Sequence, residues 1–281
     1  MGILNVTPDS FSGDGLMGEG QGKSDSLVAS MVEAALDQAR RFIAAGVDIL
    51  DVGGESTRPG SKPVSADAEL ERVIPVVHAV AKEFDGWISI DTYKAEVAEP
   101  ALAAGAHLIN DVWGLRADPD LASVAARNGV PVILMHNRSS WIHAEIRERL
   151  GGRYVDVPYD NLLEDIKREL LESVQIAKGA GIQDGRIILD PGIGFGKTVE
   201  QNLELLNRLD EICALGYPVM IGPSRKSFIG YVLDLPPDQR VEGTAAAVTI
   251  GIVRGADIIR VHDVEYMARV ARMTDAVLKS E

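Results

Sequence analysis

The feature that most restricts this chain is an alternation, repeated about eight times, of short Val- and Ile-rich apolar runs with longer segments of helical period. Such alternation builds a parallel sheet, because each strand must be carried back to the same end of the sheet by a crossover helix. The runs are Ile3–Val6, Asp48–Val52, Trp87–Ile90, His107–Ile109, Pro131–Met135, Arg186–Leu189, Pro218–Ile221 and Asp257–Val261. Between the fifth and sixth, Leu163, Ile166, Leu170, Leu171, Val174 and Ala177 recur at helical spacing and give one covering face. Small-residue breaks such as Ala44-Ala45-Gly46 and Ala103-Ala104-Gly105 end helices and lead straight into the next run. Eight such units predict an α/β fold of the (β/α)8 TIM-barrel type, as a single domain over 1–281, with a doubly wound open sheet as the alternative. Ser139 to Tyr159 is long for a connection and reads as a loop insertion over one end of the barrel.

The charge balance narrows the partners. With 42 acidic against 28 basic residues the net charge is -14, which repels nucleic acid and anionic membrane surfaces. Any anionic small molecule must then be held by a local cluster of cations. No apolar run reaches the length of a membrane span, and polar Thr7-Pro8-Asp9 follows the first strand at once, so the sequence predicts a cytoplasmic protein. Cys213 is the only cysteine, which leaves no intrachain disulfide or multi-cysteine metal site, and it reads as a small core residue.

Active sites of parallel barrels lie at the C-terminal ends of the strands. Polar groups follow nearly every run: Asn5, Asp51, Asp91, Asn110 with Asp111, His136, Asp190, Ser224-Arg225-Lys226, and Arg260 with His262. One carboxylate there is more often a helix cap than a functional group. Eight polar ends on one face point to a site. Gly53-Gly54-Glu55-Ser56-Thr57-Arg58-Pro59-Gly60 combines permissive glycines with a hydroxyl and a cation, as suits a loop folding over a substrate; Glu55 can pair simply with Arg58. Asp190-Pro191-Gly192-Ile193-Gly194-Phe195-Gly196-Lys197-Thr198 imitates a phosphate-binding P-loop, but Pro191 stands where that motif needs glycine. Asp190 is the informative residue of that stretch, since a carboxylate there can accept two hydrogen bonds from an amino-pyrimidinone edge. The cations at the seventh and eighth strand ends suit a phosphate or diphosphate. Neither His136 nor His262 has the spacing of a paired zinc ligand.

Taken in order, these motifs, from Gly2-Ile3-Leu4-Asn5-Val6-Thr7-Pro8-Asp9-Ser10-Phe11-Ser12 through Leu134-Met135-His136 to Arg260-Val261-His262-Asp263, closely resemble the dihydropteroate synthase family over nearly the whole chain. The resemblance implies condensation of a pterin methyl diphosphate with p-aminobenzoate. It implies that Asp91, Asn110, Met135, Asp190, Phe195 and Lys226 surround the pterin, and that Thr57, Arg58, Pro59 and Ser227 form the p-aminobenzoate site. It further implies that Asn5, Arg260 and His262 meet the diphosphate, with Mg2+ bridging Asn5 and the leaving group. Asn5, Asp91, Lys226, Arg260 and His262 are then the expected catalytic set, and a homodimer the expected assembly. A corrinoid-dependent pterin methyltransferase would need the pterin residues but not the diphosphate set. A catalytically silent pterin-binding homologue is the reading from another class.

Overall fold

The computed structural model describes residues 1–7, 25–56, 61, 63–147 and 149–280. Eight parallel strands, β1 (Gly2–Asn5), β2 (Ile49–Gly53), β3 (Trp87–Asp91), β4 (Leu108–Asp111), β5 (Val132–Met135), β8 (Ile187–Asp190), β9 (Met220–Ile221) and β10 (Ile258–Ile259), correspond one for one to the predicted runs. The first six form a sheet in that order and the last two pair with each other. Parallel bridges Leu189–Val219 and Gly2–Val261 join the pair to both edges of the sheet, so the hydrogen-bonded ring closes as a barrel and the open-sheet alternative falls. Ile3 N donates to Val261 O at 3.0 Å across that last seam. The protein is an α/β barrel.

Ten α-helices follow the strands among the described residues: α1 (Asp25–Ala44), α2 (Ala66–Val80), α3 (Ala95–Ala103), α4 (Leu121–Asn128), α5 (Leu162–Gly179), α6 (Val199–Asn207), α7 (Asp210–Cys213), α8 (Ser227–Leu233), α9 (Val241–Val253) and α10 (Val264–Leu278). Five of the six apolar positions expected on α5 form a buried or nearly buried seam, whereas Leu171 is exposed at its edge. None of the described helices is long and apolar enough to cross a membrane.

Strand residues alternate between two cores because successive side chains take opposite faces of a sheet. Leu4, Leu50, Val52, Ile88, Ile90, Ile109, Val132, Leu134, Leu189, Val219 and Ile221 belong to the large core that includes the helices. Met1, Leu108, Ile133 and Met220, with Ile49, Ile188 and Ile258, form a separate small cluster at the N-terminal ends of the strands. Two residues further along the same strand faces stand Asp51, Asn110, Met135, Asp190 and Arg260. The barrel interior is thus an apolar floor beneath a polar mouth. The segment expected as a plain loop insertion contains an antiparallel hairpin, β6 (Ala144–Arg147) and β7 (Gly151–Tyr154).

Candidate active site

Asn5, Gly53, Asp91 and Asn110 are consecutive neighbours in register across β1 to β4, and Met135 neighbours Asp190 across β5 and β8. Strand pairing alone therefore places most of the expected pterin residues around one mouth. Arg260 ties it together: Nε donates to Asp51 Oδ2 and an Nη donates to Asp91 Oδ2, each at 2.6 Å. Asn110 Nδ2 donates to the same Asp51 oxygen at 3.2 Å. Burial opposes the Arg260 charge, but Asp51 and Asp91 outweigh it and raise its pKa. Burial pushes the Asp91 carboxyl up to about 7 against the pull of Arg260. Asp51, fully buried, was legible only as one polar strand end among eight; it is the hub that Arg260 and Asn110 share. The signal for it is parity, since Asp51 alternates with outward-facing Leu50 and Val52.

Asp190 stands opposite. Its Oδ1 accepts from Gly192 N at 2.7 Å, and burial raises its pKa against the backbone hydrogen bond and the charges of Lys226, Lys197 and Arg260. Lys226 Nζ donates to Ile193 O at 2.8 Å and sits 3.8 Å from the centroid of the Phe195 ring, a cation–π contact. The loop that brings Phe195 there needs its glycines: a Cβ on Gly192 would lie 1.9 Å from His136 O, and one on Gly194 2.6 Å from Lys226 Cδ, both at positive φ. His262 receives its position from Ser224, whose Oγ accepts from His262 N and lies 3.1 Å from Nδ1. Ser227, at the start of α8, is partly exposed beside Lys226. The cationic cluster is smaller than its sequence suggests, because Arg225 is paired with Asp263 through Nε at 2.9 Å.

Two expectations change, for Asp111 and His136, and a third, Glu55, has a described partner other than Arg58, which lies outside the described residues. Asp111 does not join Asn110 in the mouth: on the opposite face of β4, its carboxylate accepts from Trp113 N and Leu115 N and holds the following turn. Glu55 pairs with Lys94 at 2.6 Å. His136 and Lys197 lie behind the mouth, in contact with each other at 2.9 Å. Thr57, Arg58 and Pro59, with the stretch Asp9 to Ser12, lie outside the described residues.

No group of three or more His, Cys, Asp and Glu among the described residues is placed to hold a metal ion. Asp51 and Asp91 are engaged by Arg260, and what remains at the end of β1 is the neutral oxygen of Asn5 beside Gly53, where a Cβ would come 3.5 Å from Asp91 Oδ2. One neutral hard oxygen ligand fits Mg2+ that takes its other ligands from substrate phosphates and water. Chemically, the mouth offers acceptors (Asp190, Asp91) for the N–H groups of a heterocycle, an ammonium for its acceptors, and cations for a departing anion.

The family profile described as pterin binding enzyme matches residues 1–262. The dihydropteroate synthase of Bacillus subtilis is 52% identical over 278 residues, covering 99% of this chain and 88% of that protein. That of Escherichia coli strain K12 is 42% identical over 282 residues, covering all of this chain and 92% of its own. Among solved structures, dihydropteroate synthase from Clostridium difficile in the presence of pteroic acid superposes with a TM-score of 0.85 at 45% identity, over 99% of this chain and 96% of that one. The Yersinia pestis enzyme in complex with a sulfonamide drug gives 0.85 at 40% identity, over 99% and 94%.

Proposed function

Because the chain belongs to the pterin-binding enzyme family, we propose that the mouth ringed by Asn5, Asp91, Asn110, Asp190, Lys226 and Arg260 is where a pterin diphosphate and an arylamine are joined. The activity is that of a dihydropteroate synthase, a transferase of folate biosynthesis: 6-hydroxymethyl-7,8-dihydropterin diphosphate and p-aminobenzoate give 7,8-dihydropteroate and diphosphate. The observation that carries the assignment of roles is the Asp51–Arg260–Asp91 bridge facing Asp190 and Lys226 across one barrel mouth.

Asp190 accepts the amide N–H and amino group of the pterin, while Asn110 and Lys226 address its ring acceptors, with Met135 and Phe195 lining the pocket. Arg260 and His262 lie at the diphosphate, and Thr57, Arg58, Pro59 and Ser227 receive p-aminobenzoate. The C–O bond to diphosphate breaks ahead of attack, leaving a methylene cation delocalised into the pterin ring, which the neutral arylamine nitrogen then captures. Donors fixed where negative charge grows on the leaving oxygen lower that barrier most. Asn5 would hold Mg2+, which when bound would supply charge neutralisation at the leaving group. Since the amine is neutral at pH 7, attack needs no strong base, and the acidic proton of the resulting alkylated anilinium leaves to solvent. Cytoplasmic action on small molecules belongs to the same proposal, as does a homodimer. The exposed apolar residues Ile250 and Val253 of α9 and Met273, Val277 and Leu278 of α10 support a second copy packing there.

The test is diphosphate release with Mg2+. It is expected to require p-aminobenzoate, to yield dihydropteroate, and to be inhibited by a sulfonamide competitively against p-aminobenzoate. No product at high enzyme concentration would sink the activity, and noncompetitive inhibition would remove the arylamine site from where it is placed.

A further inference from the structure

Behind the Asp190–Lys197 loop lies a second set of buried ionisable groups that the reaction does not use. Lys197, fully buried, donates to Gly192 O at 3.0 Å and Phe195 O at 3.1 Å and meets His136 Nδ1 at 2.9 Å. His136 is buried completely, with Nε2 3.1 Å from Glu169 Oε2. Burial, then the Lys197 charge, pushes the His136 pKa down to about 3, so the ring is neutral. Burial lowers the Lys197 pKa to about 7, so its ammonium is complete on the acid side of neutrality, and with Nδ1 accepting from it the ring proton sits on Nε2. Glu169 in turn is held by Arg138.

We propose that Lys197 is a positioning residue for the pterin pocket: through the carbonyls of Gly192 and Phe195 it fixes the loop that seats Asp190, the Phe195 ring and Lys226. The inference rests on the pterin reading of that pocket. The front of this loop supplies Gly192 N to Asp190 and Ile193 O to Lys226, so the ammonium behind it and the pocket groups before it grip the same few peptides. Three glycines at positive φ, Gly192, Gly194 and Gly196, leave the segment little intrinsic stiffness. The polar contacts must supply what the backbone lacks. A second effect is electrostatic. The charged groups acting on Asp190 are Lys226, Lys197 and Arg260, and those acting on Lys197 are Asp190, Lys226, Glu169 and Arg138. Removing the Lys197 charge therefore makes Asp190 easier to protonate.

The experiment is calorimetric titration of the full chain with 6-hydroxymethylpterin, for wild type and Lys197→Met, from pH 5 to 8. The variant is expected to bind at least tenfold more weakly at pH 6.5, where the Lys197 ammonium is present in wild type. The acid limb of its affinity, where Asp190 gains a proton, should move to higher pH, a displacement that a merely structural loss would not produce. At saturating pterin diphosphate, kcat should fall less than threefold, since the loss is one of binding. Should the Met variant fail to fold, Lys197→Gln, which keeps N–H donors without the charge, is expected to bind three- to tenfold more weakly with the same direction of limb shift. Binding within twofold of wild type and an unmoved limb would overturn the role of Lys197. Absence of binding by wild type itself would overturn the pterin reading instead.

Discussion

At the scale of single residues, Arg260 carries the most. It serves two carboxylates at 2.6 Å from the far end of the chain, Asp51 being 209 positions away. Alanine there would strand two buried anions and damage folding. Lysine is the informative replacement: it keeps a charge but has no planar fork, so it can satisfy one carboxylate well. Losing one charge-assisted hydrogen bond costs about 1.5–3 kcal/mol, so Arg260→Lys is expected to lower kcat/KM roughly 10–100-fold while the protein stays folded. Steady-state kinetics beside a thermal melt check this, and wild-type kcat/KM would deny Arg260 its organising place. The residues around it were legible to different degrees for physical reasons. Asn110 and Asp190 follow apolar runs, so their position could be read from the sequence. The hub formed by Asp51 could not, because its partner is reached only when the last strand closes on the first. Asn110 and Asp111 look equivalent in sequence and separate only through strand parity, which needs the register.

The elements show the same division. All eight barrel strands were legible because each lies in a short apolar run containing Val or Ile, and those at the end of the chain, β9 and β10, are merely shorter than expected. The hairpin β6–β7 was not. Ala-Glu-Ile-Arg and Gly-Gly-Arg-Tyr carry little apolar pattern, and cross-strand pairs such as Arg153 with Glu145 at 2.7 Å do part of the holding. Among the described residues, the two flanks of the β2–α2 connection are tied together by Lys94 from the β3–α3 connection. Lys94 Nζ donates to Glu55 at 2.6 Å, to Val64 O at 2.7 Å and to Glu69 at 2.6 Å, so both ends of the segment carrying Thr57, Arg58 and Pro59 meet at one ammonium. Glu69 is buried, at 1% side-chain exposure, and Glu55 nearly so at 10%. Lys94→Met should therefore destabilise the protein by about 3 kcal/mol, because it leaves uncompensated buried charge. Adding Glu69→Gln should recover part of that loss, as removing both partners costs less than removing one. Urea unfolding of the single and double variants decides it; purely additive losses would mean that the ammonium and Glu69 do not act together.

For the whole molecule, the buried ionisable groups set opposing dependences of stability on pH. Asp91 and Asp111 are pushed up by burial to about 7 and about 6, so the native state binds more protons than the unfolded chain between their ordinary range and those values. Their contribution to stability therefore declines as pH rises through that window. His136 has the reverse sign. Its native pKa is depressed to about 3, whereas an unfolded histidine titrates near 6.5, so its contribution is complete above about 6.5 and is lost as pH falls toward 3. Observed alone, the wild-type curve mixes these terms, but a comparison with His136→Gln removes the two carboxyl groups common to both proteins and leaves the titration of His136 with its contacts Lys197 and Glu169. Glutamine keeps an acceptor for Lys197 and does not titrate. Lowering the pH from 7.5 to 5.0 spans about 1.5 units below the unfolded histidine pKa, which corresponds to roughly 2 kcal/mol at about 1.4 kcal/mol per unit. Wild type should accordingly lose about 2 kcal/mol more than the variant over that interval, with the gap in unfolding free energy between them narrowing in acid. Parallel pH profiles for the two proteins in urea unfolding would show that His136 is as easily protonated in the fold as in the open chain, and with it that the buried Lys197–His136–Glu169 arrangement does not hold the ring neutral.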